Sequence, residues 1–141
     1  MGFLVDANVV VYSAVPSEYR APCLEILEAV ARRGAEGRLS TAVLEEVWHV
    51  ELSGRAGDLD GLARSAYAVF APLLPVTDDV VALALEIDAL ALGANDRIHA
   101  ATCLVNNLDV IVTADAAFEH VRGVRRVDPL DSRALRRLLR H

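Results

Sequence analysis

The stretch Asp109-Val110-Ile111-Val112-Thr113-Ala114-Asp115 decides how the chain is read. Three consecutive β-branched residues make a strand that is apolar on both faces, as in a parallel sheet covered by helices on each side. Polar residues follow at once, with Asp115 placed to cap the next helical turns. Working outward, Gly2-Phe3-Leu4-Val5-Asp6 has the same form, an apolar run that closes on an acid. Short strands also read at 38–40, 75–77 and 124–127. Between them the apolar spacing predicts helices over 17–33, 41–52, 58–71, 78–92 and 95–107. Ser17, Thr41 and Asn95 are the expected caps of the first, second and fifth of these, and Gly34, Gly54 and Gly93 are breakers. One or two turns run from Asp115 to His120, and a polar helix follows Pro129. Strands alternating with helices, about five of each, predict an α/β fold with a central parallel sheet between helical layers.

Composition narrows the class. A chain of 141 residues is one domain, 1–141, with no linker, repeat or low-complexity tract. Hydrophobic residues make up 54 %, enough apolar area to offset chain entropy, so disorder is excluded. Two cysteines, Cys23 and Cys103, make neither a disulfide framework nor a zinc site, and a reducing cytoplasmic setting is expected. No secretory leader is expected, because Asp6 interrupts the first apolar run. No membrane span is expected, because Pro72 and Pro75 break the most apolar window. The chain contains no lysine, which excludes Schiff-base and P-loop chemistry. A net charge of −6 argues against a whole surface that attracts nucleic acid.

In open parallel sheets, ligands sit beyond the carboxyl ends of the strands. Four acids occupy such places. Asp6 ends the first strand and Asp115 follows the strand at 109–113. Asp96 opens a helix, and Glu46 lies one turn into the helix after the second strand. Any one of them has a local explanation as a cap or a solvated side chain. Gathered together, four carboxylates repel one another unless protons or a cation intervene, and a hard divalent cation with oxygen ligands suits them.

Four segments carry a family resemblance: Leu4-Val5-Asp6-Ala7-Asn8, Leu39-Ser40-Thr41-Ala42-Val43-Leu44-Glu45-Glu46, Asn95-Asp96-Arg97-Ile98-His99-Ala100-Ala101 and Val112-Thr113-Ala114-Asp115-Ala116-Ala117-Phe118. In this order they closely resemble the PIN-domain ribonucleases, and in the small single-domain form the VapC-type toxins of toxin–antitoxin pairs. The resemblance implies a three-layer α/β/α domain that hydrolyses RNA phosphodiesters with Mg²⁺ or Mn²⁺. Asp6, Glu46, Asp96 and Asp115 take the places of the family's catalytic and metal-holding acids, and Asn8 and Thr113 match its polar supporting positions. Glu46 is preferred to its neighbour Glu45 because the family acid falls six residues after the Ser that ends the second strand. An antitoxin and a homodimer are implied as partners, with 17–33 and 41–71 the expected antitoxin groove. A bound cation also reconciles a net charge of −6 with an RNA substrate, because it turns an acidic cavity into a phosphate site.

Other residues are weighed against blander roles. His49, His99, His120 and His141 have no zinc-site spacing, and His99, one turn after Asp96, reads as core packing or support. Cys103, Trp48 and Phe118 read as packing residues. Arg133, Arg136, Arg137 and Arg140 recur on one face of the last helix, either as a solvated face or as a contact for RNA or antitoxin. Arg97, beside Asp96, is a further candidate for phosphate contact. Two competing functions remain at this level. A haloacid-dehalogenase-like phosphatase also begins with a strand and an Asp, but Asn8 stands where its second Asp belongs and its lysine is absent. A catalytically silent PIN-fold binding module is the other.

Overall fold

The computed structural model describes residues 2–140. Four parallel strands, β1 (Phe3–Val5), β2 (Gly37–Arg38), β3 (Val110–Val112) and β4 (Arg125–Val127), form one sheet in the order β2-β1-β3-β4. Leu4 pairs with Ile111 and Val5 with Val112, so β1 and β3 run side by side at the centre. The helices are α1 (Ala7–Tyr12), α2 (Arg20–Ala31), α3 (Thr41–Ser53), α4 (Leu62–Phe70), α5 (Asp78–Glu86), α6 (Ala94–Val105) and α7 (Ser132–Leu139), with a 3₁₀ turn at Ala116–His120.

Strand side chains alternate between faces, and this sorts the core into two halves. Phe3, Val5, Val110, Val112 and Val127 point to the side covered by α1, α2, α3, α4 and α7, where they meet Val9, Ile26, Val43, Val47, Phe70 and Leu135. Leu4 and Ile111 point the other way, against Ala100 and Cys103 of α6 and against Phe118. Helix α5 packs on α6 through Val80, Ala84 and Ala101. Each large buried side chain contributes about 1.5–3 kcal/mol through its burial. Gly37 is required where β2 passes α2: a Cβ there would lie 2.5 Å from Val30 Cγ2 and 3.0 Å from Phe3 Cε2.

The parallel α/β sheet is the expected one, with four strands instead of about five. The strand expected at 75–77 is absent and survives as a single bridge, Ser40 to Leu74. The next donor on that side, Val76 N, goes to the Thr41 hydroxyl instead of extending the backbone pairing. Helix α1 was not expected: Asp6 caps it directly, its carboxylate accepting from Ala7 N, so the chain turns into a helix as soon as β1 ends. Ser17 shapes a turn before α2, its Oγ accepting from Tyr19 N, and the helix begins at Arg20. Ser40, fully buried, caps α3 in place of Thr41, whose hydroxyl instead accepts from Val76 N. Helix α4 starts at Leu62, four residues later than expected, because Glu51 of α3 accepts from Gly61 N and Ala63 N.

Helix α5 ends at Glu86, and Gly93, not Asn95, is the N-cap of α6. The reason lies in Arg97. Its guanidinium donates to the carbonyls of Ile87, Ala89 and Leu92, at 2.8–3.1 Å, and so stabilises the non-helical backbone between the two helices. Arg97 is therefore engaged in holding this loop.

Candidate metal centre

Because all strands are parallel, their carboxyl ends share one edge of the sheet, and the two central strands each deliver a polar residue there. Asp6 follows β1 and Thr113 follows β3; both are buried. The Asp6 carboxylate accepts from Ala7 N at 2.8 Å through Oδ1 and from the Thr113 hydroxyl at 2.7 Å through Oδ2. That hydroxyl accepts in turn from Asn8 Nδ2 and from Asp115 N, each at 3.0 Å, and Asn8 Oδ1 accepts from Ala114 N. Thr113 thus uses its one donor and both acceptor positions. Asn8 and Thr113 tie the start of α1 to the end of β3 and orient Asp6.

Two helices bring the remaining groups. Helix α3 presents Glu46 inward, half-buried, while the adjacent Glu45 is exposed. About 100° of helix rotation separates neighbouring side chains, so only one of the pair can face the site. Helix α6 presents Asp96 in its first turn and His99 one turn later. His99 is fully buried; its Nε2 lies 2.6 Å from Glu46 Oε1 and 3.9 Å from Asp6 Oδ1. One ligand atom from each of Asp6, Glu46 and His99 falls within a span of 4.8 Å. This sets His99 beside Asp6 and Glu46, buried and hydrogen-bonded to Glu46. The signal for it in the sequence was its i+3 spacing from Asp96. The imidazole donates from Nε2 to Glu46, which leaves Nδ1 buried without a hydrogen-bond partner.

Asp96 and Asp115 are not in that innermost group, but their charges act on one another. The Asp96 carboxyl is pushed up to about 6 by burial first, then by the negative charges of Asp6, Asp115 and Glu46, with His99 opposing. Burial also raises Asp6, against the pull of His99 and the hydrogen bond from Thr113. For His99, burial favours the neutral ring, but the hydrogen bond to Glu46 and the charges of Asp6, Glu46 and Asp96 together raise its pKa. Asp115 caps the 3₁₀ turn, accepting from Ala117 N, and its side chain is exposed.

Arg126, which sequence reasoning missed, braces this corner. It donates to the Ala114 carbonyl at 2.9 Å, to Glu119 at 2.6 Å and to Asp128 at 2.9 Å. Its i+2 spacing to Asp128 was the only local hint. The acids suit a hard cation, which prefers carboxylate oxygens, and burial and mutual repulsion hold Asp6 and Asp96 above the ordinary range.

Elsewhere, Phe118 and Cys103 are buried as expected, and burial raises the Cys103 thiol to about 12. Trp48 is not: at 56 % exposure it stands with Tyr67 on a groove between α3 and α4. Arg133, Arg136, Arg137 and Arg140 share one exposed groove on α7. His141 lies outside the described residues. No helix among the described residues is long and apolar enough to cross a membrane.

A family model described as PIN domain matches residues 3–124. No curated protein matches the chain. Among solved structures, VapBC2 from Rickettsia felis bound to a DNA fragment from their promoter is similar, with a TM-score of 0.69 at 15 % identity over 91 % of this chain and 98 % of that one. FitAB bound to an IR36 DNA fragment has a TM-score of 0.69 at 21 % identity, covering 90 % and 94 % of the two chains. FitAcB from Neisseria gonorrhoeae has a TM-score of 0.67 at 19 % identity, covering 92 % and 99 %.

Proposed function

From a chain that belongs to the PIN-domain family, with acids gathered at the carboxyl edge of its sheet, we propose a Mg²⁺- or Mn²⁺-dependent endoribonuclease that serves as the toxin of a toxin–antitoxin pair. The observation that carries the nuclease reading is the convergence of Asp6, Glu46 and His99 within 4.8 Å, with Asp96 in their electrostatic field. Asp6, Glu46, Asp96 and Asp115 are the residues that would hold the cation. A divalent cation in such a site lowers the pKa of water towards ~7 and neutralises charge on a scissile phosphate. The chain's own residues do the rest. Thr113 and Asn8 hold the Asp6 carboxylate in one orientation, His99 holds Glu46, and Arg126 holds the loop that carries Asp115.

The toxin reading rests on the resemblance to VapC-type chains and on structural neighbours that include VapBC2, bound to promoter DNA. The groove between α3 and α4, with Trp48 and Tyr67 half-exposed beside Leu44, is the surface we assign to the antitoxin. Family membership leaves the phosphatase reading without support, and an intact acid set argues against a silent binding module.

The test is cleavage of a structured RNA by the purified protein with Mg²⁺ or Mn²⁺. Chelation should abolish it, and the products should carry 5′-phosphate and 3′-hydroxyl ends. Asp6→Asn and Asp115→Asn should each remove most of the activity. Cleavage that survives chelation, or 2′,3′-cyclic phosphate ends, would refute the reading.

A further inference from the structure

We infer that the arginine face of α7 is the track along which this protein holds the phosphate backbone of its RNA outside the cleavage site. The inference rests on the ribonuclease reading and extends it to a binding surface.

Helix α7 is unlike the other α-helices, none of which carries more than one arginine. Arg133, Arg136 and Arg137 lie within it and Arg140 is its C-cap. All four are exposed and line one groove, while Leu135 on the opposite side is buried against the core. Among the described residues none of the four makes an ion pair; Arg136 Nε donates only to its own helix, at Ser132 O. Arg126, by contrast, is paired with Glu119 and Asp128.

Helix stability does not account for the stripe. Cations near a helix C-terminus are favoured by its dipole, which suits Arg136, Arg137 and Arg140. Arg133 sits in the first turn, where the same dipole disfavours it. The pairs 133–136, 133–137, 136–140 and 137–140 are like charges at i+3 or i+4 spacing, which destabilise a helix. A repelling stripe that makes no ion pair among the described residues, in a chain of net charge −6, suits an external anion with repeated charges. A phosphodiester backbone meets that need, because each guanidinium can fork onto phosphate oxygens.

Topology starts the stripe toward the edge of the sheet that carries the site. β4 neighbours β3, and in a parallel sheet both strands end at the edge where Thr113 and Asp115 lie. Helix α7 begins just beyond the end of β4, so the Arg133 end of the stripe lies toward that edge and the Arg140 end leads away from it.

The experiment measures binding of a fluorescein-labelled RNA stem–loop across a salt series, in an Asp6→Asn background with Mg²⁺ so that RNA stays whole. Arg136→Gln/Arg137→Gln should weaken binding at least about tenfold. The slope of log affinity against log salt should fall by roughly one and a half, at ~0.7–0.9 per phosphate contact. The Lys/Lys counterpart should retain most of the slope, and melting temperatures should show both variants folded. Equal affinity and slope in the parent and Gln variants would overturn the inference. So would a stripe whose loss abolishes binding of poly-glutamate while leaving RNA binding intact, since that assigns it to an acidic protein. Failure of the nuclease reading is distinct: the otherwise unaltered protein would then cut no RNA with either cation.

Discussion

Nε2 of His99 and Oε1 of Glu46 lie 2.6 Å apart, although 53 residues separate them. The contact joins α6 to α3 at the point where both helices approach Asp6. It also shows which of two adjacent glutamates faces inward. Glu46→Gln should lower RNA cleavage about tenfold or more, whereas Glu45→Gln, on the exposed face, should leave it near the parent rate. Parallel rate measurements check this, and equal losses would remove Glu46 from the metal set. His99→Ala should weaken Mn²⁺ affinity, because it releases Glu46, and should also lower stability, because it empties a fully buried site; metal titration and denaturant unfolding measure the two.

The pH dependence of the cation-free protein has a definite sign. Asp96 is pushed up to about 6 from 3.8, so the fold favours its neutral form. The stability this contributes is full below about pH 4 and is lost as pH rises toward about 6. Asp6 and His99, both raised, act in the same direction. Melting temperature without cation should therefore fall as pH rises, and Asp96→Asn should flatten that fall. Mg²⁺ or Mn²⁺ binds the ionised carboxylates, so its stabilising increment should grow over the same interval and be smaller in Asp96→Asn. Thermal melts with and without cation check both halves. An identical cation response in the two proteins would take Asp96 out of the ligand set.

Thr113→Val keeps the shape of the side chain and removes its hydroxyl. Asp6 Oδ2, Asn8 Nδ2 and Asp115 N would each lose a partner. The expected costs are about 1–3 kcal/mol of stability and about 10–100-fold in metal affinity or activity. Denaturant unfolding and metal titration measure the two separately.

Arg126→Gln should loosen the Ala114–Asp115 loop. Its guanidinium, with a side chain only 11 % exposed, holds the Ala114 carbonyl and two acids. A loss of about 1–3 kcal/mol is expected, together with slower cleavage. An unchanged cleavage rate would show that Asp115 needs no such brace.

The groove between α3 and α4 gives a prediction about partners. Trp48 and Tyr67 are 56 % and 52 % exposed, so Trp48→Glu should change the stability of the monomer by no more than about 0.5 kcal/mol. It should nevertheless disrupt association with an antitoxin or a second copy. A parent protein that stays monomeric at micromolar concentration, and that binds a co-expressed antitoxin as well as the variant does, would dismiss the groove as an interface.

Local sequence carries what short-range physics decides. Apolar runs at 3–5 and 110–112 mark buried parallel strands, and the acid or threonine that follows each marks the functional edge. The rim positions of Asp6, Asp96 and Asp115 could be read because they depend on strand ends and helix starts, properties of a few adjacent residues, whereas the choice of Glu46 over Glu45 came from the family spacing. The features the sequence did not disclose each depend on a partner far along the chain or on a second polar group. Helix α5 stops early because Arg97 takes the carbonyls that a continuing helix would have used. Helix α4 starts late because Glu51 caps it from α3. Trp48 lies on an apolar helical face, yet only the packing of α4 leaves it open to solvent.

By itself the sequence determined a parallel α/β domain and the acids at its rim, because burial pattern and capping are written in neighbouring residues. Tertiary structure alone decided that His99 stands among those acids, that Glu46 faces inward, and that Arg126 braces Asp115. Each of these rests on atoms that approach within hydrogen-bond distance only after the helices have packed on the sheet. No spacing along the chain encodes that approach.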